Sequence, residues 1–122
     1  MSQKKILIVE DDLNVRDLER KILEPRGFQV IEAANAKDGV DLALTELPDL
    51  IIMDIRLPSK KRGIGAARMI RKDPRMSEVP VIFVTGYVGG DKTAEIANIP
   101  KSEYLLKPFS VQELVDAINK YI

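Results

Sequence analysis

Four short apolar runs in this chain each end in a residue that could take part in chemistry. These residues are Glu10 with Asp11, then Asp54, Thr85 and Lys107. Carboxylate oxygens are ligands that Mg²⁺ prefers, while a lysine and a hydroxyl suit the oxygens of a phosphoryl group. A carboxylate can also be the nucleophile that accepts a phosphoryl group. If these side chains converge, they predict phosphoryl transfer onto an aspartate, with a hard cation that offsets the repulsion between carboxylates.

The composition excludes several other kinds of chemistry. The 122 residues contain no histidine and no cysteine, so the usual neutral-pH general base, disulfides and thiolate chemistry are excluded. Lysine plus arginine equals aspartate plus glutamate, at 19 each, so no net charge favours nucleic acid or a membrane surface. No apolar stretch is long enough for a signal peptide or a membrane span. We therefore expect a cytoplasmic protein with one domain over residues 1–122 and no effector domain.

The hydrophobic pattern alternates between buried strands and amphipathic helices along the whole chain. The predicted strands are Ile6–Val9, Phe28–Ala33, Leu50–Met53, Pro80–Val84 and Leu105–Leu106. The predicted helices are Asn14–Glu24, Ala36–Leu47, Ile64–Lys72, a weak Thr93–Asn98, and Ser110–Ile122. In the first helix, the apolar stripe is expected to be Val15, Leu18 and Ile22, with Leu23 beside it. Asn35 is expected to cap the second helix, and Ser110 with Glu113 forms a capping box for the last.

This alternation predicts a parallel sheet with helices on both faces. In such a sheet the carboxyl ends of the strands lie along one edge, where ligands bind. The polar residues that follow the strands should therefore meet in one shallow pocket, although they are far apart in the sequence.

Positive charge is concentrated in one part of the chain. From Asp54 to Arg75 there are eight basic residues and two acidic ones, whereas from Glu10 to Asp54 there are twelve acidic and five basic. The split has two explanations, a pair of solvated faces or a basic surface that meets a partner. The same choice applies to the basic loop Lys60, Lys61 and Arg62, which is either a solvated turn or a specificity element for an acidic partner.

Four segments together resemble the response-regulator receiver domain of two-component signalling, in the stand-alone form of the chemotaxis regulators. They are "ILIVEDD", "PDLIIMDIRLP", "VPVIFVT" and "EYLLKPFSVQEL", which occur in the family's order and spacing along the whole chain. The resemblance implies a flavodoxin-like (βα)₅ three-layer α/β sandwich with the strand order 2-1-3-4-5. It also implies a phosphoacceptor switch that takes its phosphoryl group from a phosphohistidine kinase or a phosphorelay protein, and that is not a turnover enzyme.

The resemblance assigns a role to each site residue. Asp54 would accept the phosphoryl group, and Lys107 and Thr85 would hold its oxygens. Mg²⁺ would be bound by Asp11, by Asp54 and by the backbone carbonyl of Arg56. Glu10 would act on the metal through water or by positioning the direct ligands. Tyr104 would be the aromatic residue that turns inward when Thr85 moves. The peptide bond between Lys107 and Pro108 would be cis. Two alternatives stay open, because Asp12 could be a helix cap or a ligand and Tyr104 could be only a half-buried strand residue.

The chain also departs from the family pattern around the pocket. Arg56 and Tyr87 lie two residues after Asp54 and Thr85, and this bulky pair is expected to shield the phosphoryl group and slow its hydrolysis. Residues 86–98 are rich in glycine, so the fourth helix is expected to be short and its loop mobile.

The expected output is protein binding on the face formed by the fourth helix, the fifth strand and the last helix. The expected partners are a sensor histidine kinase or a phosphotransfer protein and a downstream target, with a phosphorylation-dependent dimer also allowed. One alternative is an interaction module that kept the fold without being phosphorylated. A phosphatase is disfavoured because position 56 is arginine and not the second aspartate of an Asp-x-Asp nucleophile motif. Nucleotide or flavin binding is disfavoured because no glycine-rich loop follows the first strand.

Overall fold

A computed structural model describes residues 3–55, 63–86 and 99–122 of the chain. Its centre is a parallel sheet of five strands in the order β2-β1-β3-β4-β5. The strands are β1 (Lys5–Val9), β2 (Gln29–Ala33), β3 (Leu50–Asp54), β4 (Val81–Thr85) and β5 (Ser102–Leu106). The predicted strand order and (βα)₅ class are confirmed, and β5 is longer than the sequence indicated.

Burial explains why the central strands are continuous apolar runs. Every residue of β3 and β4 is buried, and so are the last four residues of β1, because helices cover both faces of the sheet. The strands at the two edges, β2 and β5, instead mix buried or half-buried residues with exposed ones. The difference follows from position, since an edge strand has a neighbour on one side only.

Four α-helices are described, and three of them begin after a residue whose side chain caps the helix. They are α1 (Leu13–Leu23), α2 (Ala36–Glu46), α3 (Gly63–Arg71) and α4 (Val111–Asn119). The predicted cap of α2 is confirmed, because the Asn35 side chain accepts a hydrogen bond from the backbone N–H of Asp38 at 2.8 Å. The predicted capping box of α4 is also confirmed, with both reciprocal bonds between Ser110 and Glu113 present.

The sheet separates two apolar cores. The core on the side of α2 and α3 contains Leu7, Val9, Ile51, Met53 and Phe83 from the strands. The core on the side of α1 and α4 contains the alternate strand residues Ile6, Ile8, Leu50, Ile52, Ile82 and Val84. Successive side chains of a strand point to opposite faces, so even-numbered residues of β1 and β3 face α1 and α4.

The predicted inner face of α1 is wrong in one respect. Leu18 was expected in the apolar stripe, but it is 59% exposed, whereas Glu19 is 1% exposed and Leu23 is fully buried. Val15 and Ile22 are half-buried, as residues at the border of the inner face. The helix is therefore rotated relative to the predicted stripe, and a carboxyl group lies where the pattern placed a leucine.

Several predictions fall outside the described residues. These are the weak helix Thr93–Asn98, the mobile loop, the basic loop Lys60–Arg62, and the positions of Arg56 and Tyr87. Within the described ranges, no helix combines the length and the apolar character needed to cross a bilayer.

Candidate functional site

The chemically capable residues predicted from the sequence lie at one edge of the sheet. Asp54 and Thr85 are the last residues of β3 and β4, while Glu10 and Lys107 directly follow β1 and β5. The backbone register connects these ends, since Asp54 pairs with Val84, and the Lys107 N–H donates to the Thr85 carbonyl at 2.7 Å. Four strand ends that are neighbours in the sheet thus place four polar side chains side by side.

Three carboxyl groups form a cluster at this edge. Glu10, Asp11 and Asp54 each offer an oxygen, and these oxygens lie within 4.8 Å of one another. Glu10 and Asp54 are buried, whereas Asp11 is exposed, so the cluster opens to solvent at Asp11. A hydrogen bond with the Glu10 side chain raises the pKa of Asp11, and partial burial and the negative charge of Glu10 raise it further. This perturbation indicates that the site would accept a compensating positive charge.

Lys107 supplies part of that positive charge. Its Nζ lies 2.8 Å from Oε1 of Glu10 and 3.4 Å from Oδ2 of Asp54. Burial by itself would lower the pKa of Lys107, but hydrogen bonds and charge interactions with the two carboxylates outweigh it, and the pKa is raised. The ammonium group therefore stays charged and bridges the two buried carboxylates, with Glu10 the nearer partner.

The other predicted site residues occupy different environments. The peptide bond between Lys107 and Pro108 is cis, as the resemblance implied. The Thr85 side chain is 1% exposed, and Tyr104 is 38% exposed on β5. Asp12 is a helix cap in this structure, because its Oδ1 accepts from the backbone N–H groups of Asn14 and Val15.

Glu10 is also held by the backbone of the turn that follows it. Its Oε2 accepts a hydrogen bond from the Asp12 N–H at 3.2 Å while its Oε1 accepts from Lys107. A buried carboxylate with both oxygens engaged keeps a fixed orientation. Glu10 therefore holds Lys107 in place, whereas Asp11, which is hydrogen-bonded to the Glu10 side chain, lies on the solvent side of the cluster.

Gly63 is a residue of this site that the sequence reasoning missed. It starts α3 directly over the end of β3, and its N–H donates to the Ile55 carbonyl at 3.2 Å. A Cβ at this position would lie 2.1 Å from the backbone oxygen of Asp54 and 2.9 Å from Cγ of Met53. Only glycine allows this close approach, and the short motif "GIG" in the sequence was the available signal.

Glu19 is the second residue that was missed. Glu10 and Asp54 continue the even-numbered side of their strands, so they face the same side of the sheet as α1. The Glu19 side chain is buried on that side, and among the described residues neither of its carboxyl oxygens has a hydrogen-bond partner. Burial raises the pKa of Glu19 to about 8, and the charges of Glu10 and Asp54 add to this while Lys107 opposes it. The group is therefore mainly protonated at neutral pH, since a neutral carboxyl is less costly to bury than an ion.

The donor set fits a hard divalent cation. All the available ligands are oxygens, two carboxylates are positioned by strand ends, and Asp11 gives access from solvent. Mg²⁺ typically binds through one or two carboxylates while keeping several waters, which an open acidic cluster of this kind permits.

Comparison with known proteins identifies the family. The family model of the response regulator receiver domain matches residues 6–119. The chain belongs to this family. A receiver domain is a phosphoacceptor switch of two-component signalling and not a turnover enzyme, and the resemblance drawn from the four sequence motifs is confirmed.

Relatives of known function and structure support the assignment. Sporulation initiation phosphotransferase F of Bacillus subtilis is 30% identical, over 100% of this chain and 96% of the relative. The polar-differentiation response regulator DivK of Brucella anthropi is 33% identical, over 98% of this chain and 96% of the relative. The crystal structure of the receiver domain of a Pseudomonas aeruginosa sensor histidine kinase, 28% identical, superposes with a TM-score of 0.87 over 98% of each chain. That structure has a magnesium ion coordinated in its active-site cleft.

Proposed function

We propose that Asp54 of this receiver domain accepts a phosphoryl group from a phosphohistidine of a sensor histidine kinase or a phosphotransfer protein. The main support is the arrangement around Asp54, where Lys107 Nζ lies between its Oδ2 and Glu10 within a cluster of three carboxyl groups. The phosphorus–nitrogen bond of the phosphohistidine breaks as a bond forms between phosphorus and a carboxylate oxygen of Asp54. The imidazole leaves with the electron pair, and an acyl phosphate remains on the receiver.

Mg²⁺ would be held by Asp11, by Asp54 and by the backbone carbonyl of Arg56, with Glu10 acting through water or by positioning the direct ligands. When bound, the ion would neutralise charge on the transferring phosphoryl oxygens. The exposed position of Asp11 and the buried position of Asp54 support this assignment, because one ligand faces solvent and the other is the residue that accepts the phosphoryl group. The carbonyl of Arg56 belongs to the proposal through the family resemblance alone, since residue 56 lies outside the described ranges.

Lys107 and Thr85 would then hold the phosphoryl oxygens. Lys107 already lies within hydrogen-bond distance of Asp54, so a small movement of its flexible side chain would bring it to a phosphoryl oxygen. Thr85 ends the adjacent strand, and its backbone carbonyl is bonded to the Lys107 N–H. A movement of either residue would therefore be transmitted to the other.

The output of this movement would be protein binding on β5 and the start of α4. Tyr104, Leu106 and Val111 are all large apolar residues that are exposed there. Tyr104 would turn inward as Thr85 moves toward the phosphoryl group, which changes the apolar area that the surface offers to a downstream target. We extend the proposal to a cytoplasmic protein whose phosphorylated form could also dimerise through this surface.

The test is incubation with Mg²⁺ and acetyl phosphate, followed by intact-mass measurement of the wild type and of Asp54→Asn. We expect the wild type to gain one phosphoryl group and Asp54→Asn to gain none. Asp41→Asn is a matched control, because it removes an exposed carboxylate on α2 and should be phosphorylated like the wild type. A mass gain in Asp54→Asn, or none in the wild type, would contradict the proposal.

The decay of the acyl phosphate tests a further part of the proposal. Arg56 and Tyr87 are proposed to shield the phosphoryl group from water, so Arg56→Ala and Tyr87→Ala should each lose the phosphoryl group faster than the wild type. Unchanged decay in both variants would show that these side chains do not set its lifetime.

A further inference from the structure

The carboxyl group of Glu19 is a buried titratable group that the proposed phosphoryl transfer does not use. It lies on α1, on the side of the sheet toward which Glu10 and Asp54 point. Buried polar groups in proteins are nearly always hydrogen-bonded, yet the described part of the chain offers neither oxygen of Glu19 a partner. The burden of this group on the fold is therefore not relieved by a hydrogen bond from the described residues.

The charged groups that face Glu19 come from three strand ends. Glu10 follows β1, Asp54 ends β3 and Lys107 follows β5, and among the described residues these are the charges that shift the pKa of Glu19. Since no hydrogen bond joins Glu19 to any of them, the interaction acts through space. The other helix on this side of the sheet, α4, contributes apolar residues to the core, namely Leu114, Ala117 and Ile118.

Two arginines lie close to Glu19 along α1 itself. The guanidinium of Arg20 pairs with Glu32 of β2, and Arg16 precedes Glu19 by three residues. Both guanidinium groups stay charged at any pH at which the chain is folded, so they add a constant field and no pH dependence. The chain also lacks histidine and cysteine, the side chains that ordinarily titrate between pH 6 and 9.

The direction of the coupling between Glu19 and the acidic site follows from these charges. Burial is the main reason why Glu19 holds its proton, and burial would not change if a cation bound at the strand ends. The negative charges of Glu10 and Asp54 add to the effect, and a divalent cation beside them would offset that part. Cation binding should therefore weaken the hold of Glu19 on its proton, and by reciprocity the loss of the proton should strengthen cation binding by the same factor.

We propose that Glu19 sets the affinity of the acidic site for its divalent cation, by carrying a proton in the metal-free chain and releasing it to solvent when the cation binds. This inference rests on the proposed magnesium site. One proton leaves as one Mg²⁺ enters, so the bound complex gains one net positive charge and the buried carboxylate supplies the balancing negative charge. Glu19 would act on the ion through the field of the site and not as a ligand, which makes phosphorylation at low Mg²⁺ concentration sensitive to pH.

The ionisation of Glu19 can be measured directly in the wild type. The carboxyl carbon of Glu19, in protein labelled with ¹³C-glutamate, is followed by NMR while the pH is raised. We expect half-titration near pH 8 without metal and at a lower pH with saturating Mg²⁺. Metal-free Asp54→Asn, which lacks one of the facing negative charges, should also titrate at a lower pH than the metal-free wild type.

The reciprocal effect is measured as the Kd for Mg²⁺ at pH 6 and at pH 8.5. In the wild type we expect the Kd to fall by about fivefold or more over this interval, the lower end of ordinary coupling between two sites. Glu19→Gln should lose most of this change, whereas Glu24→Gln, which alters an exposed carboxylate at the end of the same helix, should keep it. Asp11 is present in all three proteins, so its own titration cancels in the comparison.

The outcomes separate this inference from the magnesium site itself. An equal change of Kd with pH in the wild type and in Glu19→Gln would overturn the inference and leave the magnesium site standing. The same would follow if the Glu19 carboxyl titrated at one pH with and without Mg²⁺, or were already ionised at pH 6. Absence of Mg²⁺ binding to the wild type at both pH values would overturn the magnesium site and the inference together.

Discussion

The buried carboxyl of Glu19 should make the stability of this receiver domain fall as the pH rises. An unfolded chain ionises this group at its ordinary value of 4.5, whereas the folded chain holds its proton up to about 8. Folding therefore takes up a proton between these values, and the unfolded state is favoured as pH increases through the interval. The stabilising effect of the neutral carboxyl is complete below pH 4.5 and is lost as the pH rises through 8.

The size of the effect follows from the interval. Each pH unit between the two values corresponds to about 1.4 kcal/mol of unfolding free energy. At pH 7 the group is about 2.5 pH units above its ordinary value, which gives a destabilisation of ~3 kcal/mol, and the full interval gives ~5 kcal/mol. Substitution by an amide of the same shape removes the titration, although the amide stays buried at a position where the described part of the chain offers no hydrogen-bond partner.

Urea unfolding of the wild type and of Glu19→Gln between pH 5 and 9 would measure the effect. The unfolding free energy of the variant minus that of the wild type should grow with pH, by about 2–3 kcal/mol between pH 5 and pH 7. Glu24→Gln, which changes an exposed carboxylate at the end of the same helix, should show no such growth. A difference between Glu19→Gln and the wild type that is independent of pH would show that Glu19 does not hold its proton more tightly in the folded chain.

Two further predictions concern glycine and capping positions. Gly63→Ala places a methyl group 2.1 Å from the Asp54 carbonyl oxygen, so it should lower the free energy of unfolding by at least ~1–3 kcal/mol, measured by urea unfolding. The added methyl group of Gly65→Ala in the same helix meets no atom within 4 Å, so this variant should instead raise the free energy of unfolding by up to ~1 kcal/mol. A similar loss of stability in both variants would contradict the clash argument. Ser110→Ala removes the capping box of α4 and should lower the free energy of unfolding by about 1 kcal/mol. Ser110→Thr should keep most of the stabilisation by the cap. Equal losses in the two variants would exclude capping as the cause.

Much of the acidic site could be predicted from the sequence because strand ends are easy to locate. The runs before Glu10, Asp54 and Thr85 are buried on both faces, so each strand has to stop at the first polar residue. The parallel topology then determines that these stops share one edge. The position of Lys107 could not be predicted from strand burial alone, because its strand lies at the sheet edge and has only a short apolar run. It also needed the resemblance to the family.

The contacts inside the site could not be predicted in this way. Lys107 Nζ lies closer to Glu10 than to Asp54. The orientation of the Glu10 carboxylate depends on its hydrogen bond from the Asp12 N–H, which local pattern does not reveal. The close approach of Gly63 to Asp54 depends on where α3 begins, and the limits of helices are poorly determined by local pattern. These are properties of packing between segments that are distant in the sequence.

The prediction of the inner face of α1 failed for a different physical reason. A stripe through Val15, Leu18 and Ile22 is the most apolar choice, and it would have left Glu19 toward solvent. The fold instead buries Leu23 and Glu19 and exposes Leu18, so tertiary packing overrides the local pattern. Conflicts of this kind between local pattern and fold are expected at functional sites, and this one lies on the same side of the sheet as Glu10 and Asp54. The charges of those two residues help to keep Glu19 protonated, so a cation that neutralised them would favour its ionisation. The misassigned face of α1 is thus coupled electrostatically to the acidic site.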